Sequence, residues 1–309
     1  MPIPASKRGY MSGKFGVDIG GNFAGWVFSA EGGHPSSDVV VEKLGPELLQ
    51  RKHVAGVKYD DINVVCGTGM TRQFWQWVKD SLDHKYSRKD GAIITADYDY
   101  KEMSRTNFYH ALISEVTLPA CDASSKDAAK MTVKVTPETT RVLAPMGGPA
   151  ISGTLNPPIQ KKWLPMNFRF DMQGFEQACK RVNKIEAITI KQKNTENAIG
   201  QMRDYEREPA YLEYPNLVIT TAESHADVFY KWMQDFVVDG KNGEDMEKTA
   251  TLEYLTPDLK ETLLTLTFYN LGIFKLTPDK VESGSENIRR VKVEMYCEKI
   301  MLDYKAVWA

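Results

Sequence analysis

The residues with the clearest potential for chemistry are the carboxylate and the glycines of GVDIGGNF, residues 16–23. A glycine-rich turn after an apolar strand lets the backbone approach a phosphate, as in nucleotide-binding loops. Two features argue against a nucleotide site. Asn22 stands where a hydroxyl would help to hold the phosphate, and no second turn of this kind follows in the chain. We therefore interpret this segment as an antiparallel strand that ends in a glycine-rich turn.

The cysteines and histidines form no pattern that indicates a metal or a catalytic site. Cys66, Cys121, Cys179 and Cys297 are far apart, and no C-x-x-C pair occurs. The five histidines share no ligand spacing with one another or with the cysteines. H-E-x-x-H, G-x-S-x-G and Walker motifs are also missing. We expect reduced, buried thiols, no metal, no cofactor and no enzymatic activity.

The composition is that of a folded protein without a strongly charged partner. Of the 309 residues, 42% are hydrophobic, and the formal net charge is −2. This balance gives no electrostatic reason to wrap nucleic acid or to lie on an anionic membrane. No apolar run reaches the roughly 18 residues that a membrane span needs. The N-terminal segment lacks the apolar core of a signal peptide.

An internal repeat is the most informative feature of the sequence. RQFWQWVKD at 72–80 is echoed by DVFYKWMQD at 227–235, an offset of 155 residues. KFGVDIGG at 14–21 is echoed by NFRFDMQG at 167–174, an offset of 153 residues. Further matches follow in the same order, and the offset grows to 160, as loop insertions would produce. The second copy has a single glycine in the slot of the glycine-rich turn, which supports the structural interpretation of that turn.

The repeat and the length together predict two domains joined by a linker. Residues between the copies are rich in proline and glycine, which is typical of a linker rather than of a regular element. The predicted parts are an N-terminal arm at 1–13, a first β domain at 14–144, a linker at 145–165 and a second β domain at 166–309.

Each copy is predicted to be mainly β with one helix. Short runs rich in β-branched and aromatic residues predict strands, and the alternation in AITIKQ, residues 187–192, predicts a sheet with one buried face. The aromatic stretches at 72–82 and 227–236 predict one helix per copy, flanking a small β-sandwich or barrel. SHAD, residues 224–227, predicts a capping box before the second helix. The expected core anchors are aromatic: Phe15, Phe74, Trp77, Phe108, Phe168, Phe229, Trp232 and Phe268.

A long segment in each copy has no evident place in its own barrel. In the first copy it is residues 42–59, and its counterpart, 191–211, is strongly charged. Long loops in compact domains are usually functional or disordered, and exposed leucines favour contact with a partner. We predict an inter-subunit interface loop in the first copy, with Leu44, Leu48, Leu49 and Val54 as its contact residues.

The order of these motifs resembles the tail tube proteins of contractile-tailed phages and related injection systems. In the first copy the resemblance rests on the FGVD strand, the helix RQFWQWVKDSLD, the basic connection HKYSRKDG at 84–91 and the strand from Asn107 to Ala111. It covers nearly all of 14–136 and extends more weakly over 167–303. A typical tube subunit has one such domain, so the duplication is a departure from the family pattern.

The resemblance implies two tandem tail-tube-like β-barrel or sandwich domains, each with one flanking α-helix. It implies a structural subunit, with three chains forming a pseudo-sixfold ring and stacked rings forming a tube that conducts double-stranded DNA during ejection. The implied partners are the chain itself, tail sheath proteins and baseplate proteins, in a virion tail assembled in the bacterial host cytoplasm. The alternatives are a baseplate hub or tube-initiator protein of the same fold, and a β-sandwich module that binds carbohydrate or peptide.

Overall fold

The computed structural model describes residues 13–43, 45, 50–143, 151, 163–201, 204–279 and 288–305. Its regular structure is mostly β, in a ten-stranded sheet, an eight-stranded sheet and a separate two-stranded hairpin. One amphipathic α-helix in each half packs against the strands. The predicted fold class, mainly β with flanking helices, is confirmed.

The first half of the described chain contains eleven strands and one α-helix. In chain order they are β1 (Lys14–Ile19), β2 (Asn22–Val27), β3 (Ser29–Glu31), β4 (Pro35–Glu42), β5 (Arg51–Tyr59), β6 (Ile62–Cys66), α1 (Arg72–Leu82), β7 (Lys89–Ala96), β8 (Glu102–Leu118), β9 (Cys121–Asp122), β10 (Met131–Thr136) and β11 (Thr139–Leu143).

The second half contains nine described strands, two α-helices and short helical turns. In chain order they are β12 (Phe168–Met172), α2 (Glu176–Cys179), β13 (Val182–Ile185), β14 (Ile188–Ala198), β15 (Tyr205–Glu213), β16 (Leu217–Ala222), a 3₁₀ turn (Glu223–His225), α3 (Asp227–Met233), a π-helical turn (Gln234–Val238), a 3₁₀ turn (Glu244–Met246), β17 (Lys248–Leu255), β18 (Thr262–Pro278), β19 (Arg290–Tyr296) and β20 (Lys299–Tyr304).

The two halves repeat one pattern of strand pairing. β8 and β18 are each 17 residues long, and β18 begins 160 residues after β8. The β4–β5 hairpin changes register between Ser37 and Val39, and the β14–β15 hairpin does so between Gln192 and Asn194. These positions differ by 155 residues on the first strand of each hairpin. Because even an irregularity of the ladder recurs at the same offset, residues of the two halves can be matched one to one.

The long segments that the sequence predicts as loops are two-stranded hairpins in the structure. We call the β4–β5 hairpin arm 1 and the β14–β15 hairpin arm 2. Every residue of β4 is exposed, and β5 is exposed from Arg51 to Val54, so this part of arm 1 is open to solvent on both faces and its sequence carries no alternation of buried residues. This exposure explains why β5 is missed within the predicted loop 42–59. The predicted contact residues Leu44, Leu48 and Leu49 lie outside the described residues.

The helices begin and end close to the predicted bounds, with one correction. α1 starts after Thr71, whose backbone is extended, and buries one side, including Phe74, Trp77 and Val78. α3 starts at Asp227 with Ala226 as its N-cap residue and no side-chain cap. The predicted capping box is therefore wrong, because Ser224 belongs to the preceding 3₁₀ turn, where its hydroxyl contacts the neighbouring histidine ring.

Candidate assembly surface

The two halves of the chain are joined edge to edge by β-strand pairing. The end of β8 pairs with the start of β14, from Leu118 opposite Ile188 to Glu115 opposite Lys191. The same antiparallel alignment continues where β9 pairs with β13, with Cys121 opposite Ile185. The ten-stranded and eight-stranded sheets therefore join into one continuous sheet, in the order β3-β6-β10, then β8 and β9, then β14 and β13, then β16-β19-β18.

One face of this continuous sheet is buried across the junction. Val116 and Leu118 on the first side are 0% exposed, and Ile188 and Ile190 on the second side are also buried. Burial of apolar side chains contributes about 25 cal/mol per Å², and the backbone groups of both edges gain partners. The junction therefore covers two strand edges that would otherwise be open.

The opposite face of the continuous sheet is polar, and several of its charges are paired. At the junction the hydroxyls of Thr117 and Thr189 lie 3.1 Å apart. The charged side chains of this face form ion pairs along and across the strands. Among them are Glu115 with Lys134 at 3.7 Å, Lys275 with Glu294 at 2.8 Å and Lys292 with Glu186 at 2.8 Å.

The helix of the first half also contacts the second half. The ring of Trp75 on α1 stacks on Tyr304 of β20, with the centroids 6.0 Å apart. The Lys79 ammonium donates to the carbonyl of Leu302 at 2.9 Å and pairs with Asp303 at 2.8 Å. Helix and strand pairing thus belong to one junction between the halves.

Arm 2 reaches over the first half and docks there through charged groups. The backbone N–H of Arg207 donates to the Glu138 carboxylate at 2.9 Å. The guanidinium of Arg88 donates to the carbonyl of Arg207 and to the carboxylate of Glu208, both at 2.8 Å. The side chain of Arg207 is only 14% exposed and pairs with Asp61 at 3.5 Å. Charge-assisted hydrogen bonds of this kind are among the stronger polar contacts in proteins.

The matching edges at the far ends of the continuous sheet are open. The positions in β18 that correspond to Val116 and Leu118 are Leu276 and Pro278, which are partly exposed and exposed. β18 pairs there with β19 on one side, and β4 pairs with β5 alone among the described strands. The edge of β8 is covered at the junction, but the matching edge of β18 is open. The edge of β14 is covered in the same way, but the matching edge of β4 is open.

The helix contact has an open, apolar counterpart as well. On β11, which matches β20, Val142 is 55% exposed and Leu143 is also exposed. On the π-helical turn after α3, Val238 is 66% exposed and Val237 is exposed, and Tyr230 of α3 is exposed too. Two exposed apolar patches, which have no partner in the described chain, thus lie at the positions that match the helix and the strand of the covered junction.

The predicted core anchors and the one described interface residue can be located. Six of the eight anchors are buried, and two are partly buried against the core. Val54 of arm 1 is 64% exposed and lines open clefts between arm 1 and arm 2, one of about 540 Å³. The buried anchors are Phe74, Trp77, Phe108, Phe229, Trp232 and Phe268, and the partly buried ones are Phe15 and Phe168.

The glycine-rich stretch forms a hairpin turn. β1 and β2 pair up to Ile19 opposite Asn22, and Gly20 and Gly21 both have positive φ angles, 59° and 81°. Two such residues make a type I′ turn, which suits the twist of a hairpin. The Asp18 carboxylate accepts the Gly21 N–H at 2.9 Å and closes the turn, so the carboxylate has a structural partner.

The described part of the chain contains no cluster of three or more metal-ligating side chains. Burial raises the pKa of the Cys66 and Cys121 thiols to about 12. None of the described helices is long and apolar enough to cross a membrane. The residues that sequence reasoning missed are those of the junction, because nothing in a strand's own sequence names the edge that it pairs with.

Comparison with known proteins gives one family match and several matches to solved structures. No curated protein sequence matches the chain. A chain of the extended sheath–tube complex of an extracellular contractile injection system, PVC, is 20% identical, with 45% of this chain and 93% of that chain covered and a TM-score of 0.40. The sheath/tube terminator of PVC is 20% identical, with 45% and 100% covered and a TM-score of 0.40. The tube-terminating cap of the anti-feeding prophage is 16% identical, with 47% and 99% covered and a TM-score of 0.37.

The family match falls on the first half of the chain. Residues 14–141 match the model of the T4-like virus tail tube protein gp19. The strand order, the aromatic helix and the open strand edges described above all lie within this range or repeat it in the second half. The similarity to the T4-like virus tail tube protein gp19 thus covers the first half of the chain, residues 14–141.

Proposed function

We propose that the chain is a structural, non-enzymatic tail tube subunit and that three copies close a ring of six tube domains. The observation that carries the proposal is the junction between the halves. Each side of this junction has a matching surface in the other half that is open, and these two open surfaces are complementary. Domain 2 of one chain and domain 1 of the next would meet as domains 1 and 2 meet within a chain. A ring with alternating internal and external junctions has threefold symmetry and a pseudo-sixfold shape.

The strand register between chains follows from the offsets. Glu115 of β8 lies opposite Lys191 of β14 inside the chain. Residues of β8 match residues of β18 at an offset of 160, and residues of β4 match residues of β14 at an offset of 155. The pair inside the chain therefore corresponds to Lys275 of one chain opposite Ser36 of its neighbour. The segments 275–278 and 33–36 then pair in antiparallel fashion. Pro35 starts β4 and Pro278 ends β18, and strand ends are positions where proline is tolerated.

The helix contact supports the same arrangement. Inside the chain it is charged, with Lys79 between Asp83 and Asp303 at 3.4 and 2.8 Å. The residues at the matching positions, Val238 for Asp83 and Leu143 for Asp303, are apolar and exposed. Exposed apolar patches of this kind mark interaction sites, and here each patch matches the other in chemistry and position.

The polar face of the continuous sheet would line the lumen of such a ring. Several of its charged side chains are paired with one another, whereas each free cation that contacted a phosphate would add salt-dependent affinity. A wall with paired charges suits double-stranded DNA as passing cargo. Stacked rings would form the tube, and tail sheath and baseplate proteins would contact its outside and end. The location would be the virion tail, assembled in the bacterial host cytoplasm.

The alternative is a baseplate hub or tube-initiating ring of the same fold. The tandem arrangement favours it, because one chain then carries two non-equivalent surfaces for neighbours. A main tube protein would form long stacks of rings, whereas a hub or initiator would stop at one or two rings. Negative-stain images of the purified protein distinguish the two.

The test is the oligomeric mass of Val238→Asp, measured by light scattering after size exclusion. We expect wild-type particles of at least three times the 34.9 kDa of one chain, and a monomer for the variant, because an unpaired charge in an apolar contact is costly. Tyr98→Asp is the matched control, since Tyr98 is also 66% exposed and lies in the β7–β8 turn. A monomeric wild type, or normal rings from Val238→Asp, would contradict the proposal.

A further inference from the structure

Arm 1 has the structure of arm 2 but no equivalent docking site within the described chain. Arm 2 docks through Arg207 and Glu208, which correspond to Lys52 and His53 of arm 1 by the offset of 155. Among described residues, Lys52 has no ion pair. His53 has one long contact, 3.9 Å to Glu42 on its own arm, with both side chains about half exposed. The tip of arm 1 thus presents two basic side chains to solvent.

The docking site of arm 2 also has a counterpart in the second half. Arg88 immediately precedes β7, and Glu247 immediately precedes β17. Glu138 and Glu298 immediately precede β11 and β20 in the same way. The N–H of Glu138 donates to the carbonyl of Tyr109 at 3.1 Å. The N–H of Glu298 donates to the equivalent carbonyl, that of Tyr269, at 3.3 Å.

We propose that the tip of arm 1, at Lys52 and His53, docks on the second domain of another copy of this chain, at Glu247 and Glu298. This inference rests on the proposed ring, because the ring brings arm 1 over the neighbour's second domain as arm 2 lies over the first domain. The Lys52 N–H donates to Glu298, as the Arg207 N–H donates to Glu138. His53 meets Glu247.

The state of the two glutamates supports this assignment. Glu298 is exposed, and no described cation lies within ion-pair distance of it. One oxygen of Glu247 accepts the Tyr296 hydroxyl at 2.6 Å, while its other oxygen is shielded from solvent and has no hydrogen-bond partner among described residues. A shielded carboxylate oxygen without a donor is unfavourable. The Glu247 side chain is nevertheless partly exposed, so a basic group from a neighbouring chain can pair with its charge.

The charges of the two docking contacts are reversed relative to each other. Inside the chain, Arg88 of the body faces Glu208 of the arm at 2.8 Å. Between chains, Glu247 of the body faces His53 of the arm. Each arm is attracted to its own site. If the arms exchanged sites, Glu208 would face Glu247, a contact between like charges, and Arg88 would face His53 without an anion to pair with. This reversal favours pairing of each arm with its own site and opposes the wrong order of domains around the ring.

The test uses charge reversal at the contact between chains. Glu247→Arg places a cation opposite Lys52 and His53, and His53→Glu places a second anion opposite Glu247. Each single variant should raise the dissociation constant of the ring about tenfold or more, because like charges across an interface cost several kcal/mol. The double variant reproduces the Arg–Glu pair found inside the chain and should recover wild-type affinity. Glu244→Arg is the control, since Glu244 is exposed one turn before Glu247 and changes the net charge equally.

A second measurement reads the contact directly. The variant with both His53→Cys and Glu247→Cys is oxidised and run on a non-reducing gel, where we expect a ladder that ends at three chains. His53→Cys alone should give no ladder. Wild-type rings combined with no ladder and no rescue in the double variant would overturn the arm contact and leave the ring intact. A wild type that forms no ring would overturn the ring and the arm contact together.

Discussion

The two matched tryptophans should respond differently to replacement by phenylalanine. Trp77 is 1% exposed, and its indole N–H donates to the carbonyl of Ser87 at 2.9 Å. Trp232 is 4% exposed, and its indole nitrogen is shielded without a hydrogen-bond partner among described residues. Both changes remove the same atoms from equivalent helices, so the cavity term is similar for both.

The difference in free energy of unfolding comes from the polar group. Trp77→Phe deprives the Ser87 carbonyl of its donor, which costs about 1–3 kcal/mol when the group is shielded from water. Trp232→Phe removes an N–H that is already unpaired, and no bond is lost. We therefore expect Trp77→Phe to be the more destabilising change, by at least about 1 kcal/mol.

The assay is hydrogen exchange followed by mass spectrometry, because peptides from each half report the opening free energy of that half separately. Trp77→Phe should lower the protection of β7 and β8, and Trp232→Phe should lower that of β17 and β18 by a smaller amount. Equal losses, or a larger loss in the second half, would refute the reasoning from hydrogen bonds.

Two further changes test the packing and the thiols. Gly91→Ala should lower the free energy of unfolding by about 1–3 kcal/mol, as measured by urea denaturation, because a Cβ there would lie 2.2 Å from the Asp18 carbonyl oxygen and 2.4 Å from the Phe108 ring. The pKa of the Cys66 and Cys121 thiols is raised by burial from 9.0 to about 12, so the unfolded chain loses these protons first as pH rises. Stability should fall between pH 9 and 12, and both thiols should resist a thiol-specific reagent at pH 8 until the protein unfolds.

The helices could be predicted because their signals are local. The aromatic stripe around Trp77 recurs around Trp232, and a periodic apolar face specifies a helix wherever it occurs. The strands with one buried face, such as β14 at Ile188 and Ile190, were equally visible from their alternation. The helix start near Ser224 was misplaced because a capping residue pattern does not fix which residue ends the preceding turn.

The arms and the junction could not be predicted from the sequence. The run DVVVEK at 38–43 predicts the end of β4, but β5 is exposed from Arg51 to Val54, so no alternation distinguishes that part of arm 1 from a loop. The pairing of Leu118 with Ile188 is a contact between distant segments, and the sequence of neither strand names its partner. The repeat nevertheless helps to predict the contacts between chains. Once a contact inside the chain is known, the offsets of the repeat give the matching residues that would meet between two chains.

A three-dimensional image of the wild-type assembly tests the central claim most directly. Electron cryomicroscopy should show a threefold ring of six tube domains in which segment 33–36 of one chain pairs with segment 275–278 of its neighbour. The polar face with Thr117 and Thr189 should line the lumen. A sixfold ring in which the second domain projects outward, or an assembly whose strand edges at Ser36 and Lys275 stay open, would contradict the account.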